Sequence, residues 1–517
     1  MNYMSIRWSS KKWKWTLIGL VLILTSALFL RLFRLNLIPV FADEAIYVRW
    51  AQVMRVEPSL RFLPLSDGKQ PLFMWGVIPF LKLIADPLTA GRVVSIITGL
   101  GTTVGVFVLT MTLFNSRKAS LLASLLYALS PFAVFFDRMA LVDSMLSFFG
   151  VWSLTFAILA MRRTDLGLAF LSGSALGGAL LTKSPALFFV LFLPASLIFI
   201  PFKTKKRRVV NLLKGFGLLG AVLIVAIVMY NILRLGENFH MIGIRNYDYV
   251  YPFGHLLELP FDPFVSHVNR ALEWFETMGP AGLLVLTTIG TVVNLPKFKK
   301  EIFILLLWGV VPVLVQAEFA KVFTSRYIFF SLPPLVVLAA SVLKRIKKPP
   351  YVYGVYTLVV FFFIQIVLFY VPFFYDPTKA DWPERDGYLA DWTAGTGIKN
   401  AAALVKEKRD ANPSKQIVVG TEGYFGTLPD GLQIYLEREP NIVVIGVGLD
   451  LKEVPKSLAE SADAGNVTYL VANSSRLSFI RPYEEYGLRV VAQYEKAERE
   501  NGEQDVFYVF EVVSETL

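Results

Sequence analysis

The chain has 517 residues, 55% of them hydrophobic and 18% charged, less than the quarter usual in soluble proteins. Its formal net charge of +11 does not mark a nucleic-acid partner, because Lys and Arg fall in short clusters between long apolar runs. There is no cysteine, which excludes structural disulfides, thiol catalysis and cysteine metal sites.

Runs of roughly 18 or more apolar residues predict membrane-spanning helices. The first, 15–35, follows Lys11-Lys12-Trp13-Lys14. It is longer than a signal-peptide core and lacks a clear small-x-small cleavage site, so it reads as a retained span. Residues 43–54 then alternate as an amphipathic helix, with Ile46, Trp50, Val53 and Met54 against Glu44, Arg49 and Arg55. The apolar stretch 72–84 is only about 13 residues long and suits a helix lying in the interface. Further spans are expected at 93–113, 119–136, 141–161, 166–182, 185–201, 209–233, 279–294, 302–320, 327–343 and 351–373, which makes about eleven.

Basic clusters orient these spans. With Arg7, Lys11, Lys12 and Lys14 inside, the inside loops also carry Arg117-Lys118, Arg162-Arg163, Lys203 with Lys205-Lys206-Arg207-Arg208, Lys297 with Lys299-Lys300, and Lys344-Arg345 with Lys347-Lys348. That is the positive-inside pattern, with a cytoplasmic N-terminus and an extracytoplasmic C-terminus. The segments 36–92 and 234–278 and everything after about 375 then lie outside and hold most of the Asp and Glu.

The expected domains are a membrane domain, 1–375, and a soluble extracytoplasmic α/β domain, 376–517. In the latter, 416–420, 441–446, 467–472, 488–494 and 505–513 read as strands, 451–462 and 482–486 as helices, and 376–400 as an ordered linker. Gly420-Thr421-Glu422-Gly423 reads as a loop, without the glycine pattern of a dinucleotide site. This domain would cap the membrane site or contact an acceptor.

Ionisable groups at a membrane boundary are costly unless paired or functional. Asp43-Glu44 opens the amphipathic helix, where a carboxylate also serves as a plain N-cap. Lys69, in Asp67-Gly68-Lys69-Gln70-Pro71, is placed to hold a lipid phosphate, or simply to snorkel. Asp143 falls at the start of an apolar helix, where an unpaired Asp costs on the order of 2–3 kcal/mol, and Arg138 is its expected local partner. Lys183 and Arg326 sit at span ends. With Lys69 and Arg92 they would form a cationic cluster suited to a phosphate or diphosphate lipid headgroup. His240, His255 and His267 match no zinc spacing. No cofactor is certain from the sequence, and a divalent metal stays open.

Taken together, these segments resemble a family. Ala42-Asp43-Glu44-Ala45-Ile46-Tyr47 resembles the acidic first-loop motif of GT-C-type membrane glycosyltransferases, in the branch of protein O-mannosyltransferases and lipid A aminoarabinose transferases. Gly68-Lys69-Gln70-Pro71-Leu72 resembles that branch's Glu-Lys-Pro-Pro-Leu. Ser130-Pro131 with Arg138 and Asp143, Leu181-Thr182-Lys183-Ser184-Pro185, and Ser325-Arg326-Tyr327 with Pro333 resemble its later segments. The likeness covers about 15–345 and is poor in 234–278 and the C-terminal region.

The resemblance implies a GT-C-like helical membrane protein, in a plasma membrane, that moves a sugar from a polyprenyl-phosphate donor to a protein, glycan or lipid acceptor. It implies Asp43 as the base or substrate-orienting carboxylate, and Glu44 and Asp143 join it as catalytic candidates. Lys69, Arg92, Arg138, Lys183 and Arg326 would face the carrier phosphate, and Tyr47 and Tyr327 the substrates. Ile46 in place of Arg, Gly68 in place of Glu and Ser184 in place of Gly argue against lipid A or aminoarabinose as substrates. The Trp-Trp-Asp-Tyr-Gly-type motif of oligosaccharyltransferases is absent. A transporter or lipid flippase and a non-catalytic sensor with an external ligand-binding domain are the alternatives; no internal repeat favours the former.

Overall fold

A computed structural model describes residues 11–201, 208–346 and 348–513. Arg7, Lys203, Lys205, Lys206, Arg207 and Lys347 of the basic clusters lie outside the described residues. Among those described, seven helices are long and apolar enough to cross a membrane: Trp13–Leu32, Pro87–Phe114, Val142–Arg163, Val209–Leu235, Lys299–Phe319, Ser325–Arg345 and Pro349–Tyr375. A pair bent by 104°, Phe264–Thr277 with Ala281–Asn294, makes an eighth if counted as one span. The chain is an integral membrane protein.

The other three expected spans are shorter helices or broken ones. Ser130-Pro131 divides 119–136 into Arg117–Leu129 and Pro131–Phe136, because proline has no N–H to continue the ladder. The stretch 166–182 is helical over Leu166–Leu180. Pro185 and Pro194 break 185–201 into short turns of helix around Leu187–Phe192. The expected interfacial helix forms at Leu72–Leu83, about 18 Å long at 1.5 Å per residue.

The chain divides into two compact units. The first comprises 1–33, 61–73 and 93–371. Within it Leu166–Leu180 packs between Val142–Arg163 and the helix Arg208–Tyr230. Glycine makes this approach: a Cβ on Gly173 would lie 2.7 Å from the Val222 carbonyl oxygen, and one on Gly178 2.5 Å from the Phe149 ring. Small residues at helix contacts are what close packing in lipid requires. Arg31 and Asp137, both fully buried, tie the helices Trp13–Leu32, Arg117–Leu129 and Val142–Arg163 together. Arg31 donates to Asp137 at 2.7 and 3.0 Å and to the carbonyls of Ala27 and Ala128, and the Ser144 hydroxyl donates to the other Asp137 oxygen.

The second unit comprises 34–60, 74–92 and 372–517. Its centre is a five-stranded sheet: β1 Ile417–Glu422, β2 Ile442–Gly448, β3 Val467–Asn473, β4 Leu488–Glu498 and β5 Gln504–Val512. The order is β2-β1-β3-β5-β4, with β1 parallel to both neighbours and the β4–β5 hairpin antiparallel. Every residue of β1 is buried, as a central parallel strand demands. Val418, Leu451, Leu458, Leu470, Leu488 and Phe510 form one side of the core.

Several local expectations change. Gly420-Thr421-Glu422 is the end of β1, not a loop, because its backbone pairs with both β2 and β3. The helix expected at 451–462 spans only Lys456–Asp463, since Pro455 sets its start and Leu451 instead bridges to Leu477. Residues 482–486 form a single turn, Tyr483–Tyr486. Helices Ile398–Ala411 and Asp430–Leu436 were not expected. The largest difference lies in 36–92, expected to go with the membrane helices: 34–60 and 74–92 cluster with 372–517. The helix Ala42–Val56 packs on Asp430–Leu436, with Gln52 donating to the Ile434 carbonyl at 2.9 Å, Arg49 to Gln433 at 3.1 Å and Arg55 to Glu437 at 2.6 Å.

Candidate active site

In the second unit the acidic motif starts the helix Ala42–Val56. The Glu44 carboxylate turns back to accept from the Phe41 N–H at 3.1 Å, so this residue caps the helix. It also accepts from Arg92 at 2.8 and 2.7 Å, and both side chains are fully buried. The remaining Arg92 donors reach the carbonyls of Leu35 at 2.8 Å and Pro39 at 3.2 Å. This corrects two sequence expectations. Arg92, expected in a cationic cluster at the headgroup, is buried with its donors on Glu44, Leu35 and Pro39, and Glu44, expected among the catalytic residues, is its buried counter-ion. Asp43, one residue earlier, is half-buried. Tyr47, one turn on, is 5% exposed with its ring 6.1 Å from Trp50.

The first unit gathers the other candidates. Lys183 Nζ lies 2.6 Å from Asp143 and 4.5 Å from the centre of the Tyr327 ring. The Arg326 guanidinium lies 5.3 Å from that ring centre. Asp143 is 2% exposed. Its partner is therefore Lys183, and the expected pairing with Arg138 is not made: Arg138 donates to the Leu30 carbonyl at 2.8 Å. In the first turn of its helix Asp143 meets the cation delivered by the turn after the next helix, Leu166–Leu180.

The Lys69 loop is stitched to the Lys183 turn. Gln70 donates to the Ser184 hydroxyl at 3.0 Å, and the Leu72 N–H to the Leu181 carbonyl at 3.1 Å. Lys69 pairs with Asp67 at 3.2 Å, and Asp67 also receives Arg245 at 2.7 Å. Arg245 holds Asp248 at 2.7 Å as well. Gly68 explains the close approach. Its φ is +68°, and a Cβ there would lie 2.7 Å from Arg245 Cβ and 2.8 Å from the Met241 carbonyl. Tyr249 joins the group: burial pushes its phenol up, Lys69 opposes this, and Tyr327 and Asp67 add to it. The segment Met241–Tyr249 is held by backbone pairing of 249–251 with 319–321.

Lys69, Lys183, Arg245 and Arg326, with Tyr249 and Tyr327, thus come from four separated segments of one unit. Cations outnumber the acids Asp67, Asp143 and Asp248. Such an array can neutralise a phosphate and stabilise charge that grows on it. Arg245 and Tyr249 escaped the sequence reading because the likeness to the family is poor in 234–278, and Asp67 was read only as a neighbour of Lys69. Their one local signal is the ion-pairing spacing of Arg245 and Asp248. The histidines do not assemble. His267 is buried with Nδ1 3.0 Å from the Ala317 carbonyl, and His255 stacks on Tyr251. Among the described residues no three His, Asp or Glu side chains converge on a metal position.

The chain's fold matches the crystal structure of ArnT from Cupriavidus metallidurans in the apo state over 97% of this chain and 98% of that one, at TM-score 0.58 and 14% identity. The protein has the GT-C fold. The same ArnT bound to undecaprenyl phosphate matches equally well, at TM-score 0.58. The GT-C fold is also similar to the Archaeoglobus fulgidus oligosaccharyltransferase in its apo form, over 90% of this chain and 70% of that one, at TM-score 0.50 and 13% identity. In sequence, the family described as dolichyl-phosphate-mannose-protein mannosyltransferase matches residues 63–235 of the GT-C chain, which include Lys69, Arg138, Asp143 and Lys183. No curated protein sequence matches.

Proposed function

We propose that the chain is a GT-C glycosyltransferase that moves a sugar from a polyprenyl-phosphate donor to an acceptor on the extracytoplasmic face of the plasma membrane. The observation that carries this reading is the convergence of Lys69, Lys183, Arg245 and Arg326 with Tyr327 within one unit. A crystal structure of the similar ArnT has undecaprenyl phosphate bound, and the similar Archaeoglobus AglB is seen in complex with an inhibitory peptide and a dolichol-phosphate. The basic clusters favour an N-terminus inside, with the candidate residues and the domain 376–517 outside.

The acceptor oxygen attacks the anomeric carbon, the bond from that carbon to the phosphate oxygen breaks, and polyprenyl phosphate leaves. Lys69 and Arg245 neutralise the departing phosphate, and Lys183, held by Asp143, adds charge beside Tyr327. Asp43 takes the proton from the acceptor hydroxyl. A single displacement inverts the anomeric centre.

The test is transfer of label from a polyprenyl-phosphate sugar to membrane acceptors by the full chain in nanodiscs. Asp43→Asn is expected to abolish transfer with undecaprenyl phosphate binding retained. Lys69→Ala is expected to weaken both. Full transfer by either folded variant overturns the assigned roles.

A further inference from the structure

The C-terminal sheet carries a feature that sugar transfer from a lipid carrier does not use. Its chain order β1, β2, β3 maps onto the spatial order β2-β1-β3. The connections after β1 and after β2 therefore run to opposite sides of β1. In open α/β sheets such a reversal leaves a crevice at the carboxyl ends of the two strands concerned, and ligands bind there. Here those strands are β1 and β3, and their last residues are Glu422 and Asn473.

Polar groups are concentrated at this point. Asn473 donates to one oxygen of Glu422 across the β1–β3 junction. Glu422 is 5% exposed, and Asn473 and Thr427, five residues after Glu422, are each 2% exposed. The other Glu422 oxygen, the Asn473 side-chain oxygen and the Thr427 hydroxyl have no hydrogen-bond partner. Buried polar atoms are normally satisfied, so the two orphaned oxygens at the β1–β3 junction call for donors from elsewhere.

Beside them lies an apolar surface made of aromatic rings. Trp392 is 41% exposed, Tyr424 67% and Phe425 44%. Trp392 is held by the Arg476 guanidinium 5.1 Å from its ring centre, and a Cβ on Gly426 would sit 3.5 Å from it. Phe425 rests on Trp50, with ring centres 5.7 Å apart. The rings are anchored, yet they present area to solvent. Rigid exposed aromatics beside unsatisfied polar atoms match a sugar ring, which offers an apolar C–H face and a rim of hydroxyl donors and acceptors. A plain apolar partner would leave the orphaned oxygens unpaired.

This surface also adjoins the acidic motif. The Ala42 N–H donates to the Thr393 carbonyl at 3.0 Å, and Phe41 bridges to Ala394, so Trp392 is next in sequence to the backbone that flanks Asp43.

We propose that the carboxyl ends of β1 and β3, with Trp392, Tyr424 and Phe425, form a carbohydrate-binding site that holds the glycan part of the acceptor. That the bound glycan is the acceptor rests on the transferase reading; that the site binds a glycan does not.

The test uses the full chain in nanodiscs and saturation-transfer NMR with mannotriose, chitotriose and a glucuronate-containing disaccharide, beside an unglycosylated Ser/Thr-rich peptide. At least one saccharide is expected to bind. Trp392→Ala and Tyr424→Ala are expected to weaken it about tenfold, the scale of losing one aromatic contact, with Trp392→Phe restoring most of it. Undecaprenyl phosphate affinity should not change in these variants. Binding of no saccharide, equal binding by both alanine variants, or binding of the peptide alone overturns the proposal. Saccharide binding by a chain that fails to bind undecaprenyl phosphate would sustain the site while removing the transferase reading.

Discussion

Glu44 and Arg92 form a two-pronged ion pair sealed from solvent, with bonds of 2.8 and 2.7 Å and neither side chain exposed. Arg92 also closes onto the Leu35 and Pro39 carbonyls, so it binds the turn that precedes the acidic helix to the start of the helix Pro87–Phe114. A buried pair of this kind contributes little over a hydrophobic pair of equal shape, but losing one member is expensive.

Arg92→Met strands the Glu44 carboxylate and is expected to cost about 3–5 kcal/mol. The Glu44→Gln/Arg92→Met double variant should lose clearly less than the sum of the single losses. Thermal unfolding of the detergent-solubilised chain measures both. A folded Arg92→Met protein of normal stability that has lost carrier binding would return Arg92 to the phosphate site.

The phosphate reading makes Arg245 a test residue that sequence comparison passed over. Arg245→Ala and Lys69→Ala should each weaken undecaprenyl phosphate binding by roughly 10- to 100-fold, since hydrogen bonds to charged groups contribute about 1.5–3 kcal/mol. Arg245→Lys should restore only part of this, because one ammonium cannot hold Asp67 and Asp248 as the guanidinium does. Isothermal titration in nanodiscs gives the affinities.

Gly68→Ala changes no charge. It forces a Cβ to within 2.7 Å of Arg245 Cβ at a φ of +68°, so the segment Met241–Tyr249 must shift. The backbone strain is about 1–2 kcal/mol. Carrier affinity should fall by at least as much as in Arg245→Ala, while the melting temperature falls little. Unchanged affinity would show that Arg245 is not positioned by this contact.

Burial pushes the Glu422 carboxyl up from 4.5 to about 7, against the Asn473 hydrogen bond and the charges of Lys496 and Arg476. The folded state therefore holds this proton to higher pH than the unfolded chain does. Between pH 4.5 and 7 the stability contributed at this site falls as pH rises, by on the order of 3 kcal/mol. Asp505, lowered chiefly against burial by Lys496, works in a separate window, losing its contribution only as pH falls below the usual carboxylate range. Hydrogen exchange of the β1 amides at pH 5 and pH 8 should show more opening at the higher pH in the native chain. Glu422→Gln should level the two.

Much of the architecture was legible because its signals are local. Apolar runs long enough to cross a bilayer mark themselves, and each of the eleven expected spans contains helix, whole, bent or broken. β1 was readable as Gln416–Gly420 only in part, since nothing local told that Thr421 keeps pairing on both sides and Glu422 with β2. The breaks at Pro131, Pro185 and Pro194 follow from the missing proline N–H, yet their effect on length needed coordinates.

By itself the sequence determined that the chain is a membrane protein with a small α/β part, and which ionisable residues sit at span ends. Only the tertiary structure decided the partners. Asp143 takes Lys183, 40 residues away, over Arg138, five away; Glu44 is consumed by Arg92, 48 residues on; and Arg31 finds Asp137 across 106. Hydropathy and periodicity act between near neighbours along the chain, whereas a buried charge chooses its counter-ion by which segments the packing brings within hydrogen-bond reach, and that choice leaves no local trace.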